Sequence, residues 1–180
     1  MATLQVYNET APTRITEQDA IKDYLAQINI GFERWETDES LGSDASSEDV
    51  LAAYSAEITA LSEQNNYQTA DVIDIYPTTP NLDAMLAKFD KEHWHDEDEV
   101  RFIIEGLGIF HIHPEKGPVV AITVTAGDLI VVPKDTKHWF HLGENRRIRA
   151  IRLFQNTSGW APRYTETDTA VAYPIHQLAV

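Results

Sequence analysis

The sequence predicts an α+β fold: an antiparallel β-barrel of the jelly-roll kind, with helices packed outside it and drawn mainly from the N-terminal half. Three observations predict it. Apolar residues recur at helical spacing in several stretches before residue 90. From Glu99 onward the period falls to two, and glycine or proline punctuates the chain at short intervals. With 180 residues and 43% apolar side chains, one domain spanning 1–180 can bury a sizeable core.

Thr16 is placed to cap a first helix, whose apolar stripe is Ile21, Tyr24, Leu25 and Ile28. Ser47 opens a second, with Val50, Leu51, Tyr54, Ile58 and Leu61 on one face. The polar, acidic "ETDESLGSDASSED" connects the two. "DVIDIYP" reads as a short strand. A third helix follows Pro80 and Asn81, with Leu82, Met85, Leu86 and Phe89 at helical spacing. Six β-rich segments then succeed one another: "EVRFIIE", "IFHIH", "VVAITV", "DLIVVP", "HWFHL" and "IRAIRLF". Gly106, Gly108, Pro114, Gly117, Gly127 and Gly143 lie in or beside the breaks.

The formal net charge of −15 argues against nucleic acid or an anionic membrane as partner. The imbalance is local. Residues 1–80 hold 15 of the 29 acids but three of the 14 Lys and Arg, which leaves 14 acids against 11 bases in the rest. The excess therefore lies away from the half that carries the motifs and reads as a solubilising surface. No apolar run approaches the ~20 residues of a membrane-spanning helix. The N-terminal "MATLQVYNETAPTR" lacks the basic and apolar regions of a secretion signal. Cysteine is absent, so neither disulfides nor thiolate chemistry is available. A cytoplasmic protein is the simplest expectation.

The stretch "HWHDEDEV" is the densest chemistry in the chain. Asp96, Glu97, Asp98 and Glu99 in succession would suit a solvated loop, but two histidines precede them. In extended chain His93 and His95 point the same way, and Glu99 can join them after a short turn. His138 lies where one predicted strand turns into the next. Three imidazoles and a carboxylate make a mixed N/O site suited to iron, nickel, manganese or zinc. The spacing His93-x-His95-x3-Glu99-x6-Gly106 is the first cupin motif in full, and Gly127-x5-Pro133-x4-His138 begins the second. Asp135 stands where the second motif usually has glycine, and Leu142 where it has asparagine. His111 and His113 form another H-x-H pair with no carboxylate at the right distance, and are assigned to a strand face.

Arg101 shares the face of Glu99, and Arg152 that of Ile148, Ala150 and Phe154. A guanidinium inside a barrel needs an anion beside it, which could be a protein carboxylate or a substrate. Arg146, Arg147 and Arg149 read as solvated. Phe89, Phe140 and Trp160 are core residues or the walls of an apolar pocket.

Together "HWHDEDEVRF", "KHWFHLG" and "AIRLFQNTSGWAPRY" resemble the acireductone dioxygenases, cupins of methionine salvage. The likeness runs from "FERW" at Phe32–Trp35 to "AYP" at Ala172–Pro174. It implies that His93, His95, Glu99 and His138 hold one Fe²⁺ or Ni²⁺ in a monomer. Arg101 matches a residue that helps generate the substrate dianion, Glu92 one linked to metal incorporation, and Asp98 one that relays conformational change. Arg152, Phe89, Phe140 and Trp160 match residues that surround the substrate. The implied substrates are O₂ and 1,2-dihydroxy-3-keto-5-methylthiopentene. The iron form would give formate and 4-methylthio-2-oxobutanoate; the nickel form would give formate, carbon monoxide and 3-methylthiopropanoate. Two other readings of the cupin motifs stand beside this one. One is a different cupin dioxygenase or isomerase, and the other is a non-catalytic cupin that binds a small ligand.

Overall fold

A computed structural model describes residues 1–38, 40–156 and 161–173. Its elements are β1 (Thr3–Val6), β2 (Thr13–Ile15), α1 (Gln18–Gln27), β3 (Gly31–Arg34), α2 (Ser47–Ala53), α3 (Ser55–Asn65), β4 (Thr69–Ile75) and α4 (Leu82–Leu86). Then follow β5 (His93–Trp94), β6 (Glu99–His113), β7 (Val120–Thr125), β8 (Asp128–Val132), β9 (Lys137–Leu142), β10 (Ile148–Phe154), β11 (Arg163–Tyr164) and a 3-10 turn at Thr169–Ala172. The architecture is the one expected, an antiparallel jelly roll with helices outside.

β6 joins the two sheets. Its first half pairs with β10 and β8 in the order β4-β10-β6-β8-β3. Its second half pairs with β7 and β9 in the order β11-β5-β9-β6-β7-β1-β2. Every pairing is antiparallel, and among the described residues the ladder does not close on itself. The sequence predicts two strands here, divided by glycines. The structure makes them one, because Gly106 bends the strand instead of ending it. Its φ of +84° favours glycine, and a Cβ would collide with the carbonyl oxygen of Arg147. A register shift against β10, between Arg149 and Ala150, falls in the same region.

Phe110, Ile112, Val120 and Ile122 of one sheet meet Ile103, Ile130, Ile148 and Ala150 of the other in the main core, where Ile21 and Leu25 of α1 join them. The alternate residues Val100, Phe102, Leu129, Ile151 and Leu153 are buried too, in a second cluster with Val50 and Tyr54. Ile58 and Leu61 of α3 pack against that cluster. Burying such a side chain contributes about 1.5–3 kcal/mol. That gain favours covering both faces of this sheet, so its strands read as nearly continuous apolar runs.

Several local expectations are corrected. The first helix is preceded by Glu17, not capped by Thr16, and no side chain bonds its N-terminus. The second begins at Ser47, as expected, but what caps it is Ser46, in a capping box where Ser46 and Asp49 bond each other's backbone N–H. It then breaks at Tyr54 (φ −102°, ψ 20°). Tertiary contacts hold that tyrosine: its ring lies 4.9 Å from Phe102, and its hydroxyl accepts the Asp38 N–H at 2.9 Å. The helix predicted after Asn81 is α4 and spans only five residues, so Phe89 lies beyond its end. Arg149 is buried, because the loop before α2 covers its face and accepts its guanidinium through the carbonyls of Gly42, Ser43 and Ala45. Arg147 is mostly buried between Asp74 and Glu105. Among the described residues no helix is long and apolar enough to cross a membrane.

Candidate metal centre

Three strands deliver the four predicted ligands to one point. His93 lies on β5, with His95 just past its end. Glu99 opens β6, and His138 is on β9, directly opposite His93 in register. All four are buried, and one donor atom from each lies within 4.8 Å of the others. Alternation along β5 turns both histidines inward, and the bend through 96–98 brings Glu99 back to them.

Each imidazole is oriented from behind by a backbone carbonyl. His93 Nδ1 lies 2.7 Å from Lys91 O, His138 Nδ1 2.8 Å from Thr136 O, and His95 Nδ1 3.3 Å from Ala161 O. A carbonyl can only accept, so each Nδ1 carries the proton and each Nε2 presents a lone pair. Those lone pairs face inward. Glu99 Oε2 is 3.0 Å from His138 Nε2 and 3.2 Å from His95 Nε2, while His93 Nε2 is buried without a hydrogen-bond partner. Acceptors crowded together away from water need a cation among them. Three imidazoles and one carboxylate fit a divalent first-row metal.

The electrostatics agree with this arrangement. Burial and the neighbouring His138 push the His93 pKa down to about 4, so it is neutral at physiological pH. Burial works to raise the Glu99 pKa, but the Arg101 guanidinium beside it holds it well below the usual carboxylate range. Arg101 Nε donates to Glu99 Oε1 at 2.6 Å, which leaves Oε2 for the centre. The rest of the guanidinium lies 5.1 Å from the Phe140 ring centroid and 5.8 Å from that of Phe110. Gly108 makes room for this wall, since a Cβ there would strike the Phe140 ring. Phe89 stands edge-on to His93, 5.8 Å between centroids. Arg152 is in register with Arg101 on the inner face of its sheet and forms a two-point ion pair with Asp71 of β4 (2.8 and 2.5 Å). Trp160 lies outside the described residues.

The acidic run divides its labour. Asp96 pairs with Arg163 at the surface. Asp98 accepts the Tyr67 hydroxyl and the Lys134 N–H, each at 3.0 Å, tying the ligand loop to the turn before His138. Glu97, which the sequence reading passed over, is buried and accepts the N–H groups of Gln155 and Asn156 at 3.0 and 3.1 Å. Its partners are backbone groups, which leave no sequence signal. Glu92 is also buried, beside His113, Thr165 and Thr167.

Both departures in the second motif find a structural reason. Asp135 has φ +64°, a left-handed conformation that suits glycine and that aspartate tolerates. Leu142 packs in the main core. His111 faces away from the centre, stacked on Trp139 with the rings 7° from parallel. That places it on a strand face, as expected, and outside the ligand cluster.

Comparison with known proteins agrees with this geometry. The profile of the ARD/ARD' family matches residues 4–162. An acireductone dioxygenase of Aquifex aeolicus is 40% identical over 100% of this chain and 99% of its own length. Another, of a Picosynechococcus strain, is 41% identical over 93% of this chain and 96% of its own. The solved structure of the acireductone dioxygenase from Bacillus anthracis, with a cadmium ion in its active centre, superposes with a TM-score of 0.82. It is 36% identical and covers 91% of this chain and 98% of its own.

Proposed function

Since the chain belongs to the ARD/ARD' family, we propose that it is a metal-dependent dioxygenase that cleaves 1,2-dihydroxy-3-keto-5-methylthiopentene with O₂ in methionine salvage, as a cytoplasmic monomer. The observation that carries the reading is the inward convergence of three imidazoles and one carboxylate at one buried point. His93, His95, Glu99 and His138 would hold one Fe²⁺ or Ni²⁺, which supplies a Lewis acid and a template for an oxygen-donor chelate.

The chain's own residues then have distinct tasks. Arg101 puts a fixed positive charge beside the centre, favouring the doubly deprotonated enediol that is electron-rich enough to react with O₂. Its bond to Glu99 keeps that charge oriented. Phe140, with Phe89 near His93, offers apolar walls suited to a methylthio tail, and Trp160 is assigned to the same pocket. Arg152, steadied by Asp71, adds a second cationic group on the same inner face. Asp98 links the ligand loop to the turn carrying His138 and is suited to relaying a change at one to the other. The burial of all four ligands excludes bulk water, which would compete for the dianion.

The test is reconstitution. Metal-free protein is loaded anaerobically with Fe²⁺ or Ni²⁺, then given the acireductone and O₂. Iron should yield formate and 4-methylthio-2-oxobutanoate; nickel should yield formate, carbon monoxide and 3-methylthiopropanoate. No substrate-dependent O₂ uptake with either metal would sink the proposal. Identical products from both verified forms would remove only its metal-directed part.

A further inference from the structure

β5 carries the ligand His93, yet it is two residues long. A strand that short has little intrinsic hold on its position. It is kept in place on one side by β9, through the His93–His138 pair, and on the other by β11, through Tyr164–His93 and Arg163–Trp94. One residue before His93 stands Glu92, whose side chain is 1% exposed. Its carboxylate is engaged on both oxygens. His113 Nδ1 donates to Oε1 at 2.6 Å, from the far end of β6. The hydroxyls of Thr165 and Thr167 donate to Oε2 at 2.6 and 2.8 Å. The backbone repeats the link, with the Thr165 N–H donating to Glu92 O at 3.2 Å. Thr169 stands one step back, 3.0 Å from the Thr167 hydroxyl, and among the described residues it makes no bond to Glu92.

We infer that Thr165 and Thr167 are positioning residues for the metal centre: the strap that carries them grips Glu92 against His113 and so fixes where His93 presents its Nε2. The inference rests on the metal-centre reading and adds residues to it that do not touch the ligands. The alternation Thr165-x-Thr167-x-Thr169 places the three hydroxyls in one row. Only the first two reach the carboxylate, which makes the third an internal control. Partners behind a ligand act on metal affinity through its orientation, and their loss typically weakens binding about 10–100-fold. Removing both hydroxyls would leave Oε2 without donors and loosen the strand whose one inward ligand is His93.

The experiment measures release of Ni²⁺ from the loaded full chain into excess EDTA, beside the melting temperature of the metal-free form. The double variant Thr165→Val, Thr167→Val should release the ion about tenfold faster or more, with its metal-free melting temperature close to the parent's. The serine pair, Thr165→Ser with Thr167→Ser, keeps both hydroxyls and should restore parental release. Thr169→Val should leave release unchanged. If the double valine variant fails to fold, each single valine variant should still show a smaller acceleration. Parental release rates in all folded valine variants would overturn the positioning role alone. Acceleration that the serine pair does not rescue would overturn it as well, since hydroxyl donation would then be irrelevant. A parent chain that retains no Ni²⁺ would overturn the metal-centre reading, and this inference with it.

Discussion

Behind His93, His95 and His138 stand the carbonyls of Lys91, Ala161 and Thr136, so tautomer and aim are set before any ion arrives. Arg101 is held just as firmly by Glu99. Arg101→Ala should therefore leave a metal-binding protein that no longer produces the absorbance of the enediolate dianion on anaerobic substrate binding. Turnover should fall about 10²-fold, the scale on which removing one aligned electrostatic donor acts. Arg101→Lys should recover part of the signal, because it restores the charge without the planar fork. A normal dianion spectrum in folded Arg101→Ala would reduce the arginine to an ion-pair partner. His111 makes a different prediction. Burial and the nearby His141 push its pKa to about 3, against an ordinary 6.5, so the folded chain refuses a proton that the unfolded chain accepts. Its contribution to stability is then complete above pH 6.5 and is lost towards pH 3, at about 1.4 kcal/mol per pH unit. In His111→Phe the difference in unfolding free energy between pH 7 and pH 4 should shrink by about 3 kcal/mol, as read by urea titration at the two pH values.

At the scale of elements, chain-local signals and long-range packing disagree in instructive places. The stripe from Val50 to Leu61 is continuous as a helical pattern, yet the helix breaks where Tyr54 turns towards Phe102 and Asp38. The capping box at Ser46 is, by contrast, a local device. Ser46→Ala removes an acceptor for the Asp49 N–H and should cost about 1 kcal/mol, with α2 and α3 loosened over the outer face. Chemical denaturation would measure the loss, and hydrogen exchange should locate it in those helices. Because α2 covers Val100 and Phe102 from the side opposite the metal centre, metal content should stay at the parental level. The strap at β11 works in the opposite sense, as a minor element by length that borders the ligand strand directly.

The whole molecule is coupled through its centre. The ligands come from β5, β6 and β9, and β6 runs through both sheets, so the site exists only when the jelly roll is assembled. A metal that binds the folded chain alone must then stabilise the whole fold. Free metal at about 100 times its dissociation constant should add about 2.7 kcal/mol. That corresponds to a rise in Tm of roughly 5–10 °C for a chain of this size. Calorimetry on the metal-free and loaded protein checks this, with His93→Ala as the variant expected to show little shift. An equal shift in that variant would place the stabilising ion elsewhere.

The H-x-H-x3-E spacing was legible because it depends on strand alternation, a property of the covalent chain that holds wherever an extended segment forms. The α+β division was legible for the same reason: apolar period follows from local backbone geometry. His138 was found through motif spacing, and its register opposite His93 became visible only with β5 and β9 paired. Other features depend on partners far away in sequence. Arg149 reads as a surface cation until the loop at 42–45 folds over it, and Gly106 reads as a break until β10 and β9 take opposite halves of β6. Glu97 lies beside the exposed Asp96 and Glu92 just before His93, and nothing in their neighbouring residues marks either side chain as buried. Their fate was decided by hydrogen bonds to Gln155, Asn156, His113, Thr165 and Thr167. A side chain's type sets which bonds it can make, whereas burial and the approach of remote donors set which ones it does make.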